Sequence, residues 1–139
     1  MWVHQTITLS PKTRGYHLIT EQVVNQLAGL PKINVGVLHL FIQHTSASLT
    51  LNENADPTVR QDLESHINRM VPENMDYYLH NYEGADDMPA HLKASLLGNH
   101  LTIPIVDGSL ELGVWQGIIL GEHRVSANGR RLIALLCGE

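Results

Sequence analysis

Phenylalanine occurs once in 139 residues, cysteine once, and the longest purely apolar run is Leu132–Cys137. Each scarcity excludes something. A membrane-crossing helix takes about 20 consecutive apolar residues, so no membrane partner is expected. The lone Cys137 cannot form an internal disulfide; it lies in an apolar strand pattern and reads as a small core residue. Cations are few and scattered, nine Lys and Arg against fourteen Asp and Glu, and only Arg130 and Arg131 are adjacent. The resulting net charge of −5 argues against nucleic acid, whose phosphates demand clustered Lys and Arg. No Walker loop, G-x-G-x-x-G or G-x-S-x-G is present, which disfavours nucleotide-fold enzymes and the serine-hydrolase elbow. The first residues, Met1-Trp2-Val3-His4-Gln5-Thr6, alternate like a strand and show no charged segment leading into an apolar one, so a cytoplasmic location is expected.

Histidine, by contrast, is plentiful, with nine copies. An apolar content of 43% and a length near that of one domain predict a single domain over residues 1–139 that buries its core without staples. Trp2–Leu9 alternates as a half-buried strand, and Thr20 is positioned to cap a short helix ending at Gly29. Val35–Ile42 is apolar on both faces except at His39, as in a central strand. Asp56-Pro57 opens a helix that buries Val59, Leu63, Ile67 and Met70 and closes at Pro72. Glu73–Met88 is a long polar loop, a type that often carries function. Asp87-Met88-Pro89 opens another helix, ended by Gly98, with Leu92, Leu96 and Leu97 toward the core. His100–Val106 and Ser109–Leu120 read as a hairpin about Asp107-Gly108, and Leu132–Cys137 as pairing back across Asn128-Gly129. The sum is an α+β domain with about three helices and a mostly antiparallel sheet.

Polar chemistry concentrates in two segments. In the first, period two places His44, Ser46, Ser48, Thr50 and Asn52 on one strand face, with Asp56 capping the helix beyond. In the second, Asp87, His91 and Ser95 recur every four residues and stack on one helix face, a pattern suited to orienting an imidazole for metal binding or proton transfer. A third segment, Gly108–Ile118, offers Trp115 as an aromatic plane and Gln116 as a bifunctional amide. Two polar faces each carrying a histidine predict one pocket faced by His44 and His91, with Ser46, Asn52 and Ser95 around them and its walls drawn from one chain or from adjacent subunits. His80, from the long loop, is a third metal-ligand candidate beside His44 and His91, although no local ligand spacing links the three.

His44-Thr-Ser-Ala-Ser-Leu-Thr-Leu-Asn-Glu-Asn-Ala-Asp56, Met88-Pro-Ala-His-Leu-Lys-Ala-Ser-Leu-Leu-Gly98 and Gly113-Val-Trp-Gln-Gly-Ile118 resemble segments of the YjbQ-like family of small bacterial and archaeal proteins. Arg14-Gly15-Tyr16-His17-Leu18-Ile19-Thr20 is similar to its N-terminal motif. The resemblance implies an α+β fold with a mixed, strongly curved sheet and a homotrimer. It also implies a secondary thiamine-phosphate synthase activity, joining a pyrimidine diphosphate to a thiazole phosphate with loss of pyrophosphate. On that reading His44, His91 and Glu53 are catalytic, while Ser46, Asn52, Lys93, Ser95, Trp115, Gln116 and Glu122 bind a phosphorylated small molecule. The divalent ion is Mg²⁺ or Zn²⁺, with Glu53, Asp56, Asp86 and Asp87 as carboxylate candidates and Lys93, Arg14 and Arg124 as phosphate contacts. The chain departs from the family pattern at Val114, at His100, and after Glu122, where His123-Arg124-Val125 stands, so the family motif does not extend to His123 and Arg124. From other classes come a non-enzymatic metabolite- or metal-binding module and a metal-dependent hydrolase using His44 and His91.

Overall fold

The computed structural model describes residues 1–139 as eight strands and three helices. In chain order these are β1 (Trp2–Leu9), β2 (Gly15–Leu18), α1 (Thr20–Leu27), β3 (Gly36–Ile42), β4 (Ala47–Glu53), α2 (Pro57–Met70), α3 (Asp87–Leu97), β5 (His100–Val106), β6 (Ser109–Leu110), β7 (Gln116–Glu122) and β8 (Arg130–Gly138). The strands divide between two sheets, ordered β1-β8-β3-β5-β6 and β2-β7-β4. Every pairing in both is antiparallel. The α+β class and the count of three helices hold; the strands fall into two sheets rather than one mixed sheet.

Alternation along the strands explains the core. Ile7, Leu9, Leu38, Leu40, Ile42, Ile103, Ile105, Leu132, Ala134 and Leu136 face inward from the larger sheet, to meet Ala47, Leu49, Ile118 and Leu120 from the smaller one. No helix is long and apolar enough to cross a membrane. Cys137, expected in this core, is only half-buried and shares a row of the larger sheet with Trp2 and Val37, because its parity is opposite to that of Leu136.

Helix α3 packs against β4, and α2 against β2. Asp56 caps α2 as expected, its Oδ1 accepting from the Thr58 amide at 2.9 Å and the Thr58 hydroxyl at 2.7 Å. Thr20 does not cap α1; its hydroxyl accepts from the Ile118 amide instead, at 2.9 Å, tying the helix to β7.

Several orientations differ from the periodic reading. None of the α2 side chains is buried, and Met70 is largely exposed. In α3 the buried face is Asp87, Pro89, Ala90 and Lys93, while Leu96 points outward. The reason is electrostatic. Asp87 is paired with Arg124 in the interior, and that contact turns the polar side of the helix inward. The hairpin about Asp107-Gly108 exists, but its second strand is only Ser109–Leu110; Gln116–Glu122 belongs to the other sheet. Nor does β8 pair back on β7: Ser126–Gly129 carries the chain across to lie between β1 and β3, whose apolar faces β8 completes.

Candidate functional site

Helix α3 and the loop before it build the strongest cluster. Asp86 and Asp87 stand at the start of α3, and their carboxylates take the Arg124 guanidinium between them, Nε on Asp86 at 2.8 Å and Nη1 on Asp87 at 2.7 Å. The same guanidinium donates through Nη2 to the Glu83 carbonyl at 2.9 Å, which pins the end of the long loop. Burial alone would push both carboxyls up, but the Arg124 charge and hydrogen bonds hold them below the usual carboxylate range. Asp87 is therefore an anion, with its side chain only 2% exposed.

Two imidazoles converge on that anion. His80 places Nε2 2.6 Å from Asp87 Oδ2, and His91, one turn along α3, places Nε2 3.4 Å from Oδ1. The two rings meet edge to face with centroids 5.1 Å apart. All three ligand atoms lie within 4.8 Å of one another. His91 Nδ1 donates to the Thr45 carbonyl at 3.0 Å. A carbonyl can only accept, so the neutral ring keeps its proton on Nδ1 and turns the Nε2 lone pair toward the carboxylate. Apart from each other, His80 Nε2 and Asp87 Oδ2 are buried with no further partner. With the Nε2 lone pairs of both neutral imidazoles turned to the carboxylate, two histidines and one aspartate form a donor set of the kind that binds zinc or iron. A polar cleft of about 360 Å³, lined by Asn74, Asp76, Tyr78, Asn81 and Met88, reaches the cluster at His80.

A second histidine site is sealed. His123 Nε2 and Ser48 Oγ share a hydrogen bond of 2.8 Å, and both residues are at most 1% exposed. They close over Gly121, where any Cβ would collide with the serine hydroxyl and the imidazole. Tyr16 meets the His123 ring edge-on at 5.9 Å between centroids. Burial, reinforced by Lys93 and Arg130, pushes the His123 imidazole down to about 3, so it is neutral. No carboxylate bonds its Nδ1, which has no partner at all. The pair resembles a nucleophile and base only in composition.

The other residues assigned from the sequence have partners of their own within the chain. His44 turns toward β8, where Nε2 accepts from the Arg131 amide at 2.9 Å, and its lone pair is spent there. Burial and the charge of Arg130 shift its imidazole downward. Within the chain the ring that His91 meets is that of His80, and His91 reaches the β3–β4 segment through the Thr45 carbonyl. Ser46 gives its carbonyl to Arg130 at 3.2 Å, while Ser95 lies exposed on α3. Asn52 accepts from the Glu53 amide at 2.8 Å, and Glu53 from the Ala55 amide at 3.0 Å, so both shape the turn into α2. Gln116 folds back on the Gly113 amide at 2.8 Å, and Trp115 beside it is exposed. Glu122 and Lys93 are too buried to meet a substrate. Glu122 forms a bidentate pair with Arg130 at 2.7 and 2.5 Å, and Lys93 donates to Asn68 at 2.5 Å. Arg14 is likewise committed, to Glu64 at 3.1 Å and Glu73 at 2.8 Å. Of the group assigned from the sequence, His80, His91 and the candidate carboxylate Asp87 come together. Arg124, assigned from the sequence only as a phosphate contact, instead orients Asp87 from inside the chain.

The whole architecture has known relatives. The family model described as UPF0047 protein YjbQ-like matches residues 5–139. The UPF0047 protein YjbQ of Escherichia coli O157:H7 is 58% identical over 139 residues, covering 100% of both chains. A UPF0047 protein of Synechocystis is 45% identical over 85% of this chain and 78% of its own. Among solved structures, a YbjQ-like protein of unknown function from Sulfolobus solfataricus superposes with a TM-score of 0.86 at 25% identity, over 100% of this chain and 99% of that one. A conserved hypothetical protein from Thermus thermophilus gives 0.78 at 33% identity, over 94% and 97%. With the family model matched over nearly all of its length, the chain belongs to the YjbQ-like UPF0047 family.

Proposed function

We propose that His80, Asp87 and His91 hold a divalent transition-metal ion, zinc by donor type, and that the protein is a metal-dependent hydrolase acting on a small polar substrate in the adjoining cleft. The observation that carries this reading is the convergence of two imidazole nitrogens on one buried carboxylate whose Oδ2 has no other partner. Three protein ligands leave a coordination position open, as catalytic rather than structural zinc sites do. A bound zinc ion would supply an activated water at neutral pH. The chain's own residues do the rest: Thr45 fixes the tautomer of His91, Arg124 keeps Asp87 ionised and aimed, and Tyr78 anchors the His80 loop by donating to the Pro72 carbonyl at 2.8 Å.

The test is elemental analysis and zinc titration of the purified protein. One zinc per chain, lost in His80→Ala and His91→Ala variants that keep their fold, supports the site. Absence of stoichiometric metal after loading defeats it.

The thiamine-phosphate synthase activity implied by the family resemblance has less to rest on. A departing pyrophosphate needs uncommitted cations, yet Arg14, Arg124 and Lys93 are each bound to partners within the chain. Complementation of a strain lacking its main thiamine-phosphate synthase tests that second reading directly. We also propose the homotrimer. Its support is the larger sheet's outer face, where Trp2 and Phe41 are exposed beside the half-buried Val37, Ile133 and Leu135. Sedimentation as a monomer at micromolar concentration would exclude it.

A further inference from the structure

The larger sheet has five strands and the smaller one three, so the smaller cannot roof all of its inner face. Over β5 and β6 the roof is α1 and the segment that follows it, and a cavity of about 560 Å³ remains beneath. Its floor is Ile33, Ile105 and Leu136, and its walls are Val24, Leu27 and Leu110. That volume is typical of small-molecule sites, which are mostly apolar with a few placed polar groups.

Among the residues that line the cavity, Lys32 is the only charged one. Its side chain reaches the β5–β6 turn. Gly108 adopts φ +77°, and a Cβ there would stand 2.6 Å from Lys32 Cε and 3.3 Å from Nζ. The end of the lysine side chain thus lies against the turn, and Lys32 is exposed at the edge of the cavity it lines. Lys12 bonds Ser10 and Lys93 bonds Asn68, but Lys32 makes no hydrogen bond or ion pair. An apolar chamber with one unpaired cation at its mouth matches a molecule of the same polarity, an apolar body ending in an anion.

We propose that this cavity binds a free amphipathic carboxylate, with its aliphatic chain over Ile105 and Leu136 and its carboxylate on Lys32. The cavity shares no lining residue with the cleft beside His80, so this assignment stands or falls independently of the metal reading.

Calorimetric titration with decanoate and with decanol, both below their aggregation concentrations, tests it. Decanoate should bind saturably, one per chain, and NMR shift changes should map to the cavity. Lys32→Glu should weaken decanoate by at least about tenfold, the scale of one charge-assisted contact, while leaving decanol unchanged. Val24→Glu, at a largely exposed wall position, should abolish binding of both while the melting temperature holds. Lack of saturable decanoate binding by the wild type overturns the proposal, as does indifference to Lys32→Glu. If Val24→Glu alters sedimentation and the wild type takes no carboxylate, the cavity is a contact between copies and the proposal is equally overturned.

Discussion

The molecule holds two histidine clusters on neighbouring elements, and they have opposite physical fates. His123 lies under β4 and β7 with Ser48, is shut away from water, is held neutral, and is surrounded by positive charge from Lys93 and Arg130. His80 and His91 sit at the mouth of a cleft, about a third exposed, around a carboxylate kept ionised by Arg124. Residue type is the same in both. What differs is the sign of the nearest buried charge and access to solvent. A cation-repelling, sealed imidazole is a packing element, whereas imidazoles facing an anion at a surface can take a cation.

Breaking the sealed region should have the largest effect. Glu122→Ala leaves Arg130 buried without its bidentate partner, and the expected loss is about 3–5 kcal/mol of stability, read by denaturant unfolding. A variant of near wild-type stability would show that water reaches Arg130 freely and that the region is not sealed.

Next comes acid. His123 titrates near 6.5 when unfolded and at about 3 when folded, so between those values the unfolded chain binds the extra proton. Its contribution is therefore fully present above pH 6.5 and falls as pH drops toward 3, by about 1.4 kcal/mol per pH unit. His44, also shifted down, adds in the same direction, so the informative quantity is a difference. The pH dependence of unfolding free energy in His123→Gln should be shallower than in the wild type by about one proton between pH 4.5 and 6. Equal slopes would place the His123 ring in solvent. The depressed Asp86 and Asp87 carboxyls contribute stability above about pH 4 and lose it as the pH falls further, when protonation removes their ion pairs with Arg124.

Between the regions stands the capped start of α2. Asp56→Ala should lower the melting temperature by a few degrees without touching metal binding, since its carboxylate serves Thr58. Loss of metal with an unchanged melting temperature would move Asp56 from cap to ligand. The smallest effect on stability is expected at the open cluster. His80→Ala removes a side chain of a surface loop and should shift apo-protein stability by no more than about 0.5 kcal/mol, yet abolish stoichiometric zinc. A large destabilisation there would mean that His80 and Asp87 form a structural ion pair.

How far these clusters could be read from the chain varies residue by residue. The Asp56 cap, the α3 boundaries and the i,i+4 pairing of Asp87 with His91 follow from local spacing, and all are present. The partner of the His44 ring was not legible, because strand parity says which side a residue takes, not which element lies there. For His44 the neighbour is Arg131 of β8, 87 residues away. Ser48 was read as part of a wet hydroxyl row for the same reason; the sequence shows its alternation but not the helices covering that face.

The chain by itself determined what local physics can set: strand alternation, helix starts and stops, the α+β class, and the family through motifs spread over its length. Only the tertiary structure decided which polar residues became a site. Splitting the strands into two sheets sealed Ser48 with His123, and the Asp87–Arg124 pair turned α3 so that His91 met His80. Contacts of this kind join residues tens of positions apart. Their energies depend on burial and on the surrounding charge, which no local spacing encodes.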